Sequence, residues 1–163
     1  MKVDNLKAMI EVLTAHTGVL IVKADQQGAE QPPLPYGQYK VTSPHIKGRG
    51  RGHITQYTEA ETEYERLTTQ PLMVISFSFF HTDEDSSREL AVLAHGWFQF
   101  AGALYFVDEG TAIAHIGNVE NRTTHIVDHY DYRHGFDVQI LSEHHIDRVM
   151  EWIEKANITQ GGN

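Results

Sequence analysis

The densest collection of side chains able to do chemistry lies in HIVDHYDYRH at 125–134, followed by HHID at 144–147. Neutral imidazole and carboxylate oxygen are good donors to zinc or non-haem iron. His125, Asp128, His129, Asp131, His134, His144, His145 and Asp147 therefore form a candidate ligand pool for a small metal-dependent enzyme. Their spacing does not define a site. HEXXH, which sets two histidines on one helix face, is absent. On an extended strand His125, His129 and Asp131 share a face, but His125 and His129 stand about 13 Å apart, so one ion needs ligands from other strands. His144 and His145, adjacent on a strand, point to opposite faces. A solvated polar strand face accounts for the same residues without an ion. Nucleophilic catalysis has less support: there is no G-x-S-x-G elbow, and Ser76 and Ser78 in ISFSFF share a face that they mark as partly polar.

A second unusual stretch is HIKGRGRGHI at 45–54, where Lys47, Arg49 and Arg51 alternate with glycines in a chain of formal net charge −9. It lacks the G-x-x-x-x-G-K-[ST] spacing and the following helix that a phosphate cradle requires. As a glycine-loosened hairpin tip, its three cations can reach a nucleic-acid backbone. They can equally meet an acidic neighbour, and Glu61, Glu63 and Glu65 in EAETEYE offer such a partner on another copy of the chain. A solvated loop joining two strands is the plainer account.

These residues must be positioned by elements legible in the apolar pattern. Val3, Leu6, Met9, Ile10 and Leu13 form an amphipathic stripe over 3–16, with Thr17-Gly18 as its stop. VLIVK at 19–23 reads as a buried strand, and the proline-rich 24–35 as a loop. An extended stretch at 36–43 follows, closed by Pro44. Residues 54–67 and 72–80 read as two strands with a break at Thr69-Gln70-Pro71. HTDEDSS supplies helix caps. The helix it opens, over 86–106, sets Leu90, Leu93, Ala94, Trp97, Phe98, Ala101 and Leu104 on one face as a core stripe. Strands are expected at 112–119 and 133–142, with a turn at Asn121-Arg122-Thr123 and an extended 125–132. For 144–157, helical and strand periodicities both fit.

Helices beside blocks of strands, without regular βαβ alternation, indicate an α+β fold with a largely antiparallel sheet, an N-terminal helix and one long helix packed on it. At 163 residues the chain suits a single domain, expected over 1–158 with a long basic loop at about 44–54 and a flexible tail at 159–163. Twenty-two carboxylates against 13 Lys and Arg argue against wholesale binding of a phosphate backbone. With no cysteine there is no disulfide framework or thiolate site. No apolar run approaches the length of a membrane span. The composition predicts a soluble, intracellular domain.

Four segments together carry a resemblance: QPPLPYGQYKVTSP (31–44), PLMVISFSFF (71–80), ELAVLAHGWF (89–98) and GNVENRTTHIVDHYDYRHGFDVQI (117–140). They resemble the neck or tail-terminator-like proteins of tailed bacteriophages and prophages. The most distinctive part is the Y-x-x-R-x-GFDV strand, here Tyr130, Arg133, Gly135, Phe136, Asp137 and Val138. The resemblance implies a structural virion protein of the tail or neck, present in the host cytoplasm during assembly. It implies a hexameric ring that caps the tail tube and meets connector or stopper proteins, with genomic DNA passing through the lumen. It implies no catalytic residue, cofactor or metal, and it favours a strand for 144–157. Within such a ring, Gly135 permits close strand approach or a bulge, Phe136 and Val138 are expected to face opposite to Asp137, Arg133 is expected to pair with a carboxylate, and Arg49 and Arg51 are expected to meet a neighbour's Glu61, Glu63 or Glu65. An acidic lumen would repel DNA and let it slide.

Overall fold

The computed structural model describes residues 3–26, 28 and 30–150. The first helix, α1 (Val3–Thr17), buries Leu6, Met9, Ile10 and Leu13. It stops where the pattern places the stop: Gly18 enters the left-handed region at φ 73° and returns its N–H to the Thr14 carbonyl at 2.9 Å. β1 (Ile21–Lys23) follows and pairs in parallel with β2 (Tyr36–Ile46). β2 runs on through Pro44 rather than ending there. The register with β5 (Leu72–His81) slips between Val41 and Ser43 and again between Ser43 and Ile46, so Pro44 sits in a bulge where no ladder hydrogen bond is required of it.

The stretch 54–67 is not one strand. It folds back as β3 (His53–Glu59) and β4 (Thr62–Thr69) around Ala60 and Glu61, which both take positive φ, 47° and 65°. This is the backbone of a tight two-residue hairpin turn. Its residues carry no Asn or Gly to announce it, so the turn is invisible to sequence rules.

β5 alternates from Leu72 to Phe79, with Met73, Ile75, Phe77 and Phe79 facing the core and Ser76 and Ser78 facing away, and Phe80 on the second face is buried as well. Asp83 then caps α2 (Glu84–Gly96), its Oδ1 accepting from the Ser86 N–H at 2.8 Å. The expected long helix changes character at its midpoint. Trp97–Ala101 is a π-helical turn, followed by the short α3 (Ala103–Asp108). The extra residue of a π turn delays the helical phase. The buried stripe therefore continues from Trp97 and Phe98 to Gly102 and Phe106, while Ala101 and Leu104, expected in the core, face solvent. Leu93, at the flank of the stripe, is 44% exposed.

β6 (Thr111–Ile116), β7 (Glu120–Asn121), β8 (Thr124–Ile126) and β9 (His129–Ser142) complete the main sheet, ordered β1-β2-β5-β9-β6, with β7 and β8 also on β9. The turn expected at 121–123 is not formed: β7 and β8 keep one register along β9, with the Arg122 N–H donating to the Arg133 carbonyl between them, so the chain runs straight through these residues. The 125–132 segment, expected to be extended, is a hairpin: Ile126 faces His129 across Val127 and Asp128, and Val127 takes φ 39°. β10 (His144–Val149) is a strand. The expectations for 151–157 and for the tail at 159–163 lie outside the described residues.

The fold is α+β with mostly antiparallel sheets. Both helical segments lie on one face of the main sheet, where Met9, Leu13, Ala91, Ala94, Trp97 and Phe98 meet Phe77, Phe79, Phe136, Val138 and Ile140 in one apolar cluster. The three central strands then continue past a junction at 47–52, Gln70-Pro71 and Glu143. β2 leads into β3, β4 leads into β5, and β9 leads into β10, so β3, β4 and β10 form a second, three-stranded sheet. We call this second sheet the arm.

Candidate functional site

The basic segment sits at the base of the arm. β2 pairs with β5 and β3 with β4, so residues 47–52 carry the chain from one sheet to the other and are not a hairpin tip. The tip of the hairpin is Ala60-Glu61. This location explains the glycines. A Cβ on Gly48 would lie 2.3 Å from the Gln70 carbonyl oxygen, and one on Gly52, at φ 82°, would lie 2.6 Å from that of Thr68. The segment presses against the β4–β5 junction more closely than any side chain allows. Lys47, Arg49 and Arg51 alternate with these glycines and remain exposed. Among the described residues they make no hydrogen bond or ion pair. With His45, His144, Leu67 and Ile146 they line a cavity of about 400 Å³, and the His45 and His144 rings meet edge to face at 5.8 Å.

The three acidic residues expected to answer these cations occupy different settings. Glu61 is in the hairpin turn and Glu63 lies on β4. Glu65 is engaged within the chain, accepting from Arg148 Nε at 2.7 Å, and this bond holds its carboxyl below the usual carboxylate range. β3 separates the basic segment from Glu61 by about 23 Å of extended chain. One copy therefore cannot join its own basic and acidic ends.

The histidine–aspartate pool is dispersed. His125 and His129 stand on the exposed β8–β9 hairpin, where His125 packs against Tyr130 with ring centroids 4.8 Å apart. His134 is buried at the helix–sheet contact, its Nδ1 2.8 Å from the hydroxyl of the fully buried Ser87. Burial there pushes the imidazole pKa down, with Arg88 acting the same way and Glu84 and Asp85 opposing. His144, His145 and Asp147 belong to the arm, where Asp147 receives Arg66 at 2.7 and 2.9 Å. Among the described residues no three His, Cys, Asp or Glu side chains converge as an ion would require.

The GFDV strand is built around an arginine that the sequence reading passed over. Arg133 pairs with no carboxylate among the described residues. It donates to the Arg122 carbonyl at 2.6 Å and to Thr124 Oγ1 at 3.0 Å, and lies over the Phe80 ring. It is Arg122, from the extended link between β7 and β8, that reaches across the polar face of the sheet. Its guanidinium donates to Ser76 Oγ at 2.8 Å, to the Phe77 carbonyl at 3.3 Å and to Asp137 at 3.0 Å. Burial raises the Asp137 pKa, but its hydrogen bonds to Ser76 and Arg122 outweigh this and leave it below the usual range. Gly135 leaves room for the crossing, because a Cβ there would lie 2.1 Å from the Phe77 carbonyl oxygen and 3.1 Å from Arg122 Nη1. Phe136 and Val138 face the core, opposite Asp137, as expected. Tyr130 is exposed and stacks on Tyr132. The Asn-Arg turn was the only sequence signal for Arg122.

A further feature lies on the outer face of the π turn and α3. Phe100, Leu104 and Val107 are 85%, 77% and 73% exposed, spaced i, i+4, i+7 as one apolar stripe. The same periodicity that suggested a core stripe belongs, after the phase shift, to a surface.

No curated protein matches the chain. A family model described as phage neck terminator protein matches residues 4–163, nearly the whole chain, and includes the GFDV strand and both sheets. The chain belongs to the phage neck terminator protein family.

Proposed function

We propose that this neck protein works by assembly rather than chemistry: several copies, six by the resemblance, form a ring that caps the tail tube and joins it to the head connector. The observation that carries this reading is the stripe of Phe100, Leu104 and Val107. Apolar stripes displayed to solvent mark surfaces that another protein covers. The main core is already closed beneath the helices, so the stripe has no further role inside the subunit. An acidic chain, at net charge −9, suits a lumen through which DNA slides without sticking. Lys47, Arg49 and Arg51 are the exception in that field. Six copies of a weak three-cation contact add by avidity, either on passing DNA or on an acidic partner.

Light scattering and negative-stain imaging of the purified protein, alone and mixed with tail tubes, test the reading. Rings, or ring-shaped caps on tube ends, are the expected result. A protein that stays monomeric and binds neither tubes nor connector overturns it.

A further inference from the structure

The arm ends in two open edges. Among the described residues β4 is paired on both sides, whereas β3 and β10 are each paired on one side only. Neither face of the arm carries a covering layer among the described residues: β10 is exposed throughout, β3 is exposed except for Tyr57, and every residue of β4 is only half-buried. Small sheets without a packed face are marginal, and open edges template pairing with another chain unless proline, bulges or guarding charges blunt them. β3, HITQYTE, has no proline and a single charge, at its end. The charges on β10 are turned inward to β4, Asp147 to Arg66 and Arg148 to Glu65.

We propose that β3 of one copy pairs in parallel with β10 of the next, so that the arms join into a continuous sheet around the ring. This rests on the ring reading above and adds the surface that closes it. Both strands run antiparallel to β4 and hence parallel to each other. Rotation about a ring axis along the strands preserves that direction, so a head-to-tail contact between these unlike edges is a parallel one. The charges agree. β3 begins beside Lys47, Arg49 and Arg51 and ends at Glu59 and Glu61, while β10 begins after Glu143 and carries Arg148 near its end. Parallel pairing sets the basic segment beside Glu143, and Glu59 beside Arg148, which Glu65 of its own copy already engages; antiparallel pairing sets the basic segment beside Arg148 instead. Pairing β3 with β3 about a twofold also matches charges, but it closes a dimer and leaves both β10 edges open. The apolar pattern continues across the proposed seam. Ile54, Leu67 and Ile146 form one cross-strand row, with Ile54 59% and Ile146 53% exposed. A neighbour's Ile54 beside Ile146 extends this row.

The chain has no cysteine, which makes a crosslinking test direct. In one copy, I54C and I146C lie two strand spacings apart, about 10 Å, beyond the reach of a disulfide. Oxidised protein carrying both substitutions should run as a ladder of oligomers up to ring size, and each single variant should not crosslink. In wild-type protein, amide exchange over 53–59 and 144–149 should slow at least about tenfold on assembly, whatever the stagger between copies. Rings that form without this protection and without the ladder overturn the edge pairing and leave the ring reading intact. A dimer from I54C alone overturns it in favour of the twofold contact. No ring, free or on tail tubes, removes both.

Discussion

Arg122 Nη2 and Asp137 Oδ1 lie 3.0 Å apart across the polar face of the main sheet, and the same guanidinium donates to Ser76. This contact ties the β7–β8 link to the two central strands. Arg122→Ala should lower stability by about 2 kcal/mol, the range for hydrogen bonds to charged groups. Asp137→Asn should cost less, about 1 kcal/mol, because Asp137 is half-exposed and screened. Urea unfolding of both single variants and the double variant measures the coupling. Because the folded-state pKa of Asp137 lies below its unfolded value, its contribution is present at neutral pH and fades as pH falls through the acid range. Asp137→Asn should remove that part of the acid limb.

Gly135→Ala forces a methyl group to within 2.1 Å of the Phe77 carbonyl. Backbone cannot yield as a flexible side chain does. A loss of about 3 kcal/mol is expected, at the upper end for overpacking, visible as a lower denaturation midpoint with unchanged slope.

Phe100→Asp and Leu104→Glu replace residues that contribute little inside the subunit. Their effect on thermal melting should stay within about 0.5 kcal/mol. Under the assembly reading the same variants should fail to cap tail tubes in an imaging or co-sedimentation assay.

Replacing Lys47, Arg49 and Arg51 together by alanine should leave the fold intact, since these side chains have no partner among the described residues. If they touch duplex DNA, the slope of log K against log salt should flatten by about 3. An unchanged slope alongside normal ring formation would assign them to a protein neighbour.

His134 links pH to the helix–sheet contact. Its pKa is pushed down in the fold by burial, so the unfolded chain binds its proton more readily. Stability from this group is present above the ordinary histidine value and is lost as pH falls through the folded pKa. Melting temperature should fall between pH 7.5 and pH 5.5. His134→Gln should flatten that dependence if it keeps the contact with Ser87.

Hydrophobic periodicity was sufficient for much of this protein. It specified α1 and its stop, the polar outer face of β5 and the α+β class, and capping chemistry placed a helix after HTDEDSS. These are local consequences of side-chain spacing and capping. The resemblance carried by the GFDV strand also indicated the family before any fold was known. Tertiary structure decided the rest, because each remaining feature depends on atoms distant in sequence. Two hairpins turn at Ala60-Glu61 and Val127-Asp128 without glycine or asparagine, held by the pairing of their strands. A π turn reverses the exposure expected of Ala101 and Leu104, since one inserted residue rotates everything beyond it. GRGRG reads as a flexible tip, yet its glycines serve a close crossing over Gln70 and Thr68 that only the β4–β5 junction creates. The arm edges proposed to meet a neighbour, β3 and β10, lie almost ninety residues apart in the chain and become edges of one sheet only because β4 stands between them.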